Sequence, residues 1–222
     1  MNDNSEDNQV NVKERIVLEY KDYVLTNGKD PSSVYTFAKA MGLSEADFYT
    51  HFNGFEAVDH EIWHSAASRT IEALKESKEY TSYGSREKIL GLFYTLIEVL
   101  NQERSYYIYS LNHEKTPLKN KEGLKAPVIE FVKTVIDEGL AIKEFEDRKY
   151  ISEKYHQAVW LNVSFILSFW VTDSSKGFEK TDAAIEKSVN LLVEMMGKSA
   201  LDSFLDLGKF LFQNRFKPGF KM

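Results

Sequence analysis

Two histidines stand four residues apart in His60-Glu61-Ile62-Trp63-His64, with a glutamate directly after the first. At helical pitch that spacing puts both imidazoles on one face, where they can hold a metal ion. Taken literally, the segment matches the H-E-x-x-H pattern of zinc hydrolases, in which the glutamate is the general base. In those enzymes a third ligand comes from elsewhere in the chain. A five-residue pattern with two open positions also arises by chance, and Ile62 and Trp63 suit packing. The expectation is therefore no metal, no cofactor and no catalytic residue, and the chain is read as a non-enzyme.

A second constellation suits binding rather than bond-making. Phe93, Tyr94, Ile97, Tyr106, Tyr107, Tyr109, Phe131, Tyr155, Trp160, Phe165 and Trp170 lie on neighbouring helical patterns, with Asn162, Ser110, His113 and His156 as polar groups beside them. Ligand sites are mostly apolar, with a few polar groups that fix orientation. Aromatic residues at helical spacing also build cores, and most of these would do so whatever else a subset lines. The expected ligand is a small hydrophobic effector or a lipid.

The elements that position these residues read as helices throughout. Val12, Ile16, Tyr20 and Val24 predict a first helix from a cap at Asn11 to Thr26, closed by Asn27-Gly28, with residues 1–11 disordered. Phe37, Ala38 and Met41 form a short apolar stripe, and Gly42 follows where a left-handed residue ends a helix. Ser44 caps the next helix, with Asp47 three residues on completing a capping box and Phe48, Tyr49 and Phe52 on its inner face. Two short helices around such a turn make a helix-turn-helix. A long helix over 55–78 carries Val58, Ile62, Ala66, Ile71 and Leu74 inward. Further helices are expected over 86–101, 104–112, 124–138 (ended by Gly139), 148–172, 180–196 and 199–212. HEKTPLKNKEG is a polar loop.

The pattern S-x-x-x-F-A-K-A-M-G-L-S-x-x-x-F-Y-T-H-F over Ser33–Phe52 resembles the N-terminal domain of the TetR family of bacterial transcriptional regulators. The resemblance implies an all-α chain: a helix-turn-helix domain over 12–60, then a helical ligand-binding and dimerisation domain over 61–222. It also implies a homodimer, paired through 148–172 and 179–196 as a four-helix bundle, that binds operator DNA and releases it on binding an effector. Carried over residue by residue, Tyr49 and His51 match phosphate-contacting positions, Ser33 and Ser44 match the capping positions, and Thr50 lies on the reading helix. Glu45, Asp47 and Phe55 depart from the pattern, where small, hydroxylated and basic residues are usual.

Charge runs against DNA. Residues 1–60 hold five basic residues (Lys13, Arg15, Lys21, Lys29 and Lys39) against eleven acidic ones, which accounts for the chain's net charge of −6. Cations that neutralise phosphates carry most non-specific affinity, so an acidic reading end favours a second class: a lipid or hydrophobic-metabolite protein on the same fold, with DNA binding lost. Lys209, Arg215, Lys217 and Lys221 alternate with phenylalanines at the end of the chain. Such an end can lie on an anionic membrane, but a last helix with a solvated tail accounts for it, and no membrane partner is expected.

Composition bounds the rest. The 222 residues are 43% hydrophobic and 28% charged, with no cysteine, so disulfides and thiol chemistry are excluded and a reducing cytoplasm fits. The polar, acidic first residues predict no signal peptide. The longest apolar run, about 14 residues over 158–171, is shorter than the roughly 18–20 a membrane span needs.

Overall fold

The computed structural model describes residues 3–113, 121–148 and 151–197, and their regular secondary structure is all helical, with no strand among them. The helices are α1 (Asp3–Asn27), α2 (Val34–Ala40), α3 (Glu45–His51), α4 (Phe55–Glu76), α5 (Ser85–Gln102), α6 (Arg104–His113), α7 (Glu122–Ala141), α8 (Tyr155–Thr172) and α9 (Glu179–Met196). The all-α expectation is met. The chain divides into two compact units, one taking in everything to Thr81 together with Gly91–Phe131, the other Ser82–Leu90 and the chain from Val132 on.

In the first unit α1 turns Ile16, Tyr20 and Val24 inward, as its period requires. It begins at Asp3, not at the expected cap of Asn11. A run rich in Asp and Glu suits the positive end of a helix, and helical hydrogen bonding extends through it. Phe37 of α2, Phe48 of α3 and Phe55 of α4 meet edge-to-face, with ring centroids 5.4–6.2 Å apart. Burying each such ring stabilises by roughly 1.5–3 kcal/mol, which fixes two seven-residue helices too short to stand alone. Gly42 adopts φ +70°. Its N–H reaches Lys39 O at 3.1 Å while Leu43 N–H reaches Ala38 O at 2.9 Å, the double closure of a Schellman turn.

α7 passes so close to α4 that a Cβ on Gly123 would stand 2.2 Å from His60 O. The backbone of the H-E-x-x-H segment therefore lies against α7 at His60 and His64. Trp63, 0% exposed, lies in the core, as its sequence reading as a packing residue required.

In the second unit α7 runs on past Gly139, which the sequence marked as its end. Gly139 is needed for proximity instead: a Cβ there would meet the Phe145 ring at 2.5 Å and Ser85 Oγ at 2.6 Å. The expected single helix over 148–172 also differs. A short 3-10 turn at Ser152–Lys154 precedes α8, and Arg148, expected in the helix, stands outside it and is buried. Its guanidinium donates to Met195 O at 2.8 Å and Gly197 O at 2.6 Å, closing the C-terminal end of α9. Asp173 holds the other end of α9: its carboxylate accepts from Thr181 N at 2.9 Å and Thr181 Oγ1 at 2.6 Å, and from Ser175 N at 2.8 Å. α9 buries Ile185, Val189, Leu192 and Met196, the stripe its sequence predicts.

No helix among the described residues is long and apolar enough to cross a membrane. The expected helix over 199–212, the basic tail after it, and most of the polar loop before α7 lie outside the described residues.

Candidate functional site

α2 and α3 form the helix-turn-helix, and their caps are explicit. Ser33 Oγ accepts from Thr36 N at 3.2 Å. Ser44 Oγ accepts from Asp47 N at 3.1 Å, and Asp47 Oδ2 takes Ser44 N at 2.8 Å and Ser44 Oγ at 2.7 Å. Asp47 thus has a local structural role, and those hydrogen bonds hold its carboxyl below the usual carboxylate range. Phe48, fully buried, anchors α3, and Phe52 is buried with it. Tyr49, expected on the same inner face, is 53% exposed, because it follows Phe48 directly and one helical step turns it outward. Thr50 is also exposed, its hydroxyl donating to Ala46 O at 2.9 Å and leaving its oxygen able to accept. His51 is half-buried in the last turn of α3.

The cations around this surface are mostly committed elsewhere. Lys13 pairs with Glu61 at 2.6 Å and Lys21 pairs with Glu103. Arg15 donates to Met41 O at 2.6 Å, fastening α1 to the turn after α2. Lys39 lies over the Tyr35 ring at 5.6 Å. Of the five basic residues before position 60, Lys29 and Lys39 have no carboxylate or carbonyl partner among the described residues.

The expected aromatic ligand cluster is divided by the structure. Phe93, Ile97, Tyr106, Tyr107 and Phe131 are buried in the first unit, while Tyr94 is exposed at 38%. Tyr155, Asn162 and Phe165 belong to the second unit. Tyr155 is a tether there, accepting from Arg148 Nη1 at 2.7 Å and donating to Glu146 O at 3.0 Å. Asn162 is half-buried, with Nδ2 lacking a hydrogen-bond partner among the described residues. Phe165 is 51% exposed beside Leu161 at 69%, and on α9 Leu191 and Met195 are exposed as well. His113 ends α6, and its side chain lies outside the described residues.

Two cavities open in the first unit. One, of about 710 Å³, is lined by Val17, Leu18, Ile62 and Tyr107, with Lys13, Lys21 and Arg69 set among Glu14, Glu61 and Glu103. Tyr107 is the expected ligand residue that reaches it. Burial, with Glu103 nearby, pushes the Tyr107 phenol up to about 12.

The other cavity, of about 690 Å³, lies where Asn53, Gly54 and Phe55 join α3 to α4, and reaches Tyr20, Asp30, Asp59, Tyr109 and Ser110. Behind it is a polar network the sequence did not announce. Lys121, 1% exposed, donates to Asp59 Oδ2 at 2.7 Å and to Ser110 Oγ at 2.7 Å. Asp59 Oδ1 accepts from Tyr106 at 2.7 Å and Ser110 at 2.5 Å, and Trp63 Nε1 donates to Ser110 at 3.0 Å. Tyr20 donates to Asp30 at 2.9 Å, and Tyr109 donates to the same oxygen at 3.3 Å. Burial first, then these carboxylates, raises the phenols of Tyr20, Tyr106 and Tyr109 well above their usual value. One signal was available in the sequence: an acid at position 59 beside the inward stripe of α4, four residues before a tryptophan that needs an acceptor.

His60 and His64 are both exposed, ring centroids 6.5 Å apart, and Glu61 is engaged by Lys13. Among the described residues no three metal-ligating side chains gather.

A family model described as "Tetracyclin repressor-like, C-terminal domain" matches residues 88–211. No curated protein matches the chain. A solved structure described as that of a protein with unknown function from Rhodococcus sp. RHA1 is similar, at 13% identity over 84% of this chain and 96% of that one, with a TM-score of 0.54. At that identity the likeness is one of fold alone.

Proposed function

The chain belongs to the tetracyclin repressor-like (TetR) family, and from that premise we propose that it is a ligand-responsive transcriptional repressor binding DNA as a homodimer. The helix-turn-helix over 12–60 is the DNA-reading domain in this proposal, and 61–222 is the ligand-binding and dimerisation domain. One observation carries the reading: a fully capped α2–turn–α3 that buries Phe48 and holds Tyr49 and Thr50 outward. Tyr49, Thr50 and His51 contact the duplex, and the Ser33 and Ser44 caps set the angle of each helix. Phosphate contacts position such a helix while side chains at base edges specify the sequence. Dimerisation runs through α8 and α9, whose exposed Leu161, Phe165, Leu191 and Met195 supply an apolar face that a second copy covers. The work is cytoplasmic.

The acidic balance of residues 1–60 favours one rival. A protein of this fold that binds a lipid or hydrophobic metabolite needs no phosphate contacts, and three of its five N-terminal cations are already committed to internal partners. Fluorescence anisotropy with the chain's own upstream DNA separates the two. On the repressor reading, Tyr49→Ala and Lys39→Ala each weaken binding while sedimentation still reports a dimer. Binding unaffected by both changes would remove α2 and α3 from the interface.

A further inference from the structure

One acid on α3 has no structural task. The helix carries two exposed carboxylates, Glu45 and Asp47. Asp47 is spent locally, accepting from Ser44 N at 2.8 Å and from Ser44 Oγ at 2.7 Å in the capping box. Glu45 makes no hydrogen bond or ion pair among the described residues. Beside it Ala46, Tyr49 and Thr50 are exposed, while Phe48 faces the core. At helical pitch Glu45 and Tyr49 share one outer stripe, and Ala46 and Thr50 share the next.

This surface is short of the side chains that read purines. Between Glu45 and His51 there is no Arg, Lys, Asn or Gln, the groups that bond bidentately to guanine or adenine in the major groove. A carboxylate can only accept. Guanine presents two acceptors in that groove and thymine one, so both repel it. Adenine sets an acceptor beside its amino group, and cytosine offers the amino donor alone. Glu45 is therefore matched to cytosine. Next to it the Thr50 hydroxyl gives its proton to Ala46 O at 2.9 Å. Ala46 and Thr50 both carry a methyl group, the contact that suits the C5-methyl of thymine.

We propose that Glu45 is a specificity-determining residue, accepting a hydrogen bond from a cytosine amino group in the major groove of an operator half-site where Ala46 and Thr50 meet a neighbouring thymine. This rests on the regulator reading of α2 and α3. It also gives the acid a purpose in a domain already short of cations. The carboxylate weakens attraction to phosphates at every sequence and recovers the loss at one base pair only. Discrimination rises where overall affinity falls.

The test is selection by the full-length protein from a duplex DNA pool with a randomised core, then fluorescence anisotropy on the selected duplex and its single-base-pair variants. The expected result is a G·C pair in each half-site whose inversion, or replacement by A·T, weakens binding about tenfold or more. Glu45→Gln moves the preference at that pair to A·T, because a carboxamide bonds both N6 and N7 of adenine. Glu45→Ala abolishes discrimination at that pair alone and strengthens binding to unrelated DNA, since a negative charge is gone. Both variants keep the wild-type circular dichroism. A base profile unchanged in both, or altered at every position alike, overturns the assignment while the regulator reading stands. Wild-type protein that selects no duplex counts against the regulator reading itself, and the assignment to Glu45 falls with it.

Discussion

Removing the Asp59 carboxylate tests the network that ties α4 to α6 and to Lys121. Asp59→Ala removes the carboxylate paired with an ammonium that is 1% exposed and deprives the buried Tyr106 and Ser110 hydroxyls of their acceptor. Breaking a buried ion pair from one side costs about 3–5 kcal/mol, and an unsatisfied buried hydroxyl costs about 1–3 kcal/mol more. These losses are not additive, and Asp59 keeps 18% exposure, so water reaches the site and the lower end, about 3–4 kcal/mol, is the expected loss. For a chain of 222 residues, with roughly 2–4 °C lost per kcal/mol, the melting point falls by about 6–16 °C. Asp59→Leu combined with Lys121→Met removes both charges and costs less than Asp59→Ala alone, because neither charge of the pair is left. Urea and thermal unfolding followed by circular dichroism give both numbers. A loss below about 1 kcal/mol for Asp59→Ala, or a double variant as damaged as the single one, would refute the reasoning.

Other changes have equally local consequences. Ser44→Ala opens the capping box on α3, and is expected to cost about 1 kcal/mol in urea unfolding. Gly123→Ala forces a Cβ to 2.2 Å from His60 O, and since neither backbone can yield, the expected loss is about 3 kcal/mol or more by the same measurement. Asp173 is held below its ordinary value of 3.8, first by its Thr181 hydrogen bonds. A carboxyl depressed in the folded state stabilises above the unfolded value, and that contribution fades as pH falls through and below 3.8. Asp173→Asn should therefore flatten the acid limb of a stability-versus-pH curve, most visibly below pH 4.

The helix-turn-helix was legible because its signals are local: Gly42 at a left-handed turn, Ser44 and Asp47 three apart, and phenylalanines at helical period. The inward stripes of α1, α4 and α9 were legible for the same reason. Arg148 and Gly139 were not. Each answers to a residue distant in sequence, Met195 and Gly197 for one and Ser85 for the other, and nothing in their neighbourhoods reveals it. The aromatic cluster shows the limit from another side. Helical spacing marks Tyr106 and Tyr155 as inward, but whether a phenol meets an effector, an aspartate or an arginine is decided by tertiary neighbours. Asp59 and Lys121 become a pair only once α4 and the start of α7 are brought together.

DNA affinity as a function of salt tests the central claim most directly. A dimer with Lys29 and Lys39 available in each subunit offers about four cations to the phosphates. With the purified protein and its upstream DNA, log Kobs against log [NaCl] should fall with a slope of about −3 to −4, a loss of roughly a hundredfold between 50 and 200 mM. Absence of binding at 50 mM NaCl would contradict the repressor account and leave the fold to the rival, a hydrophobic-ligand protein.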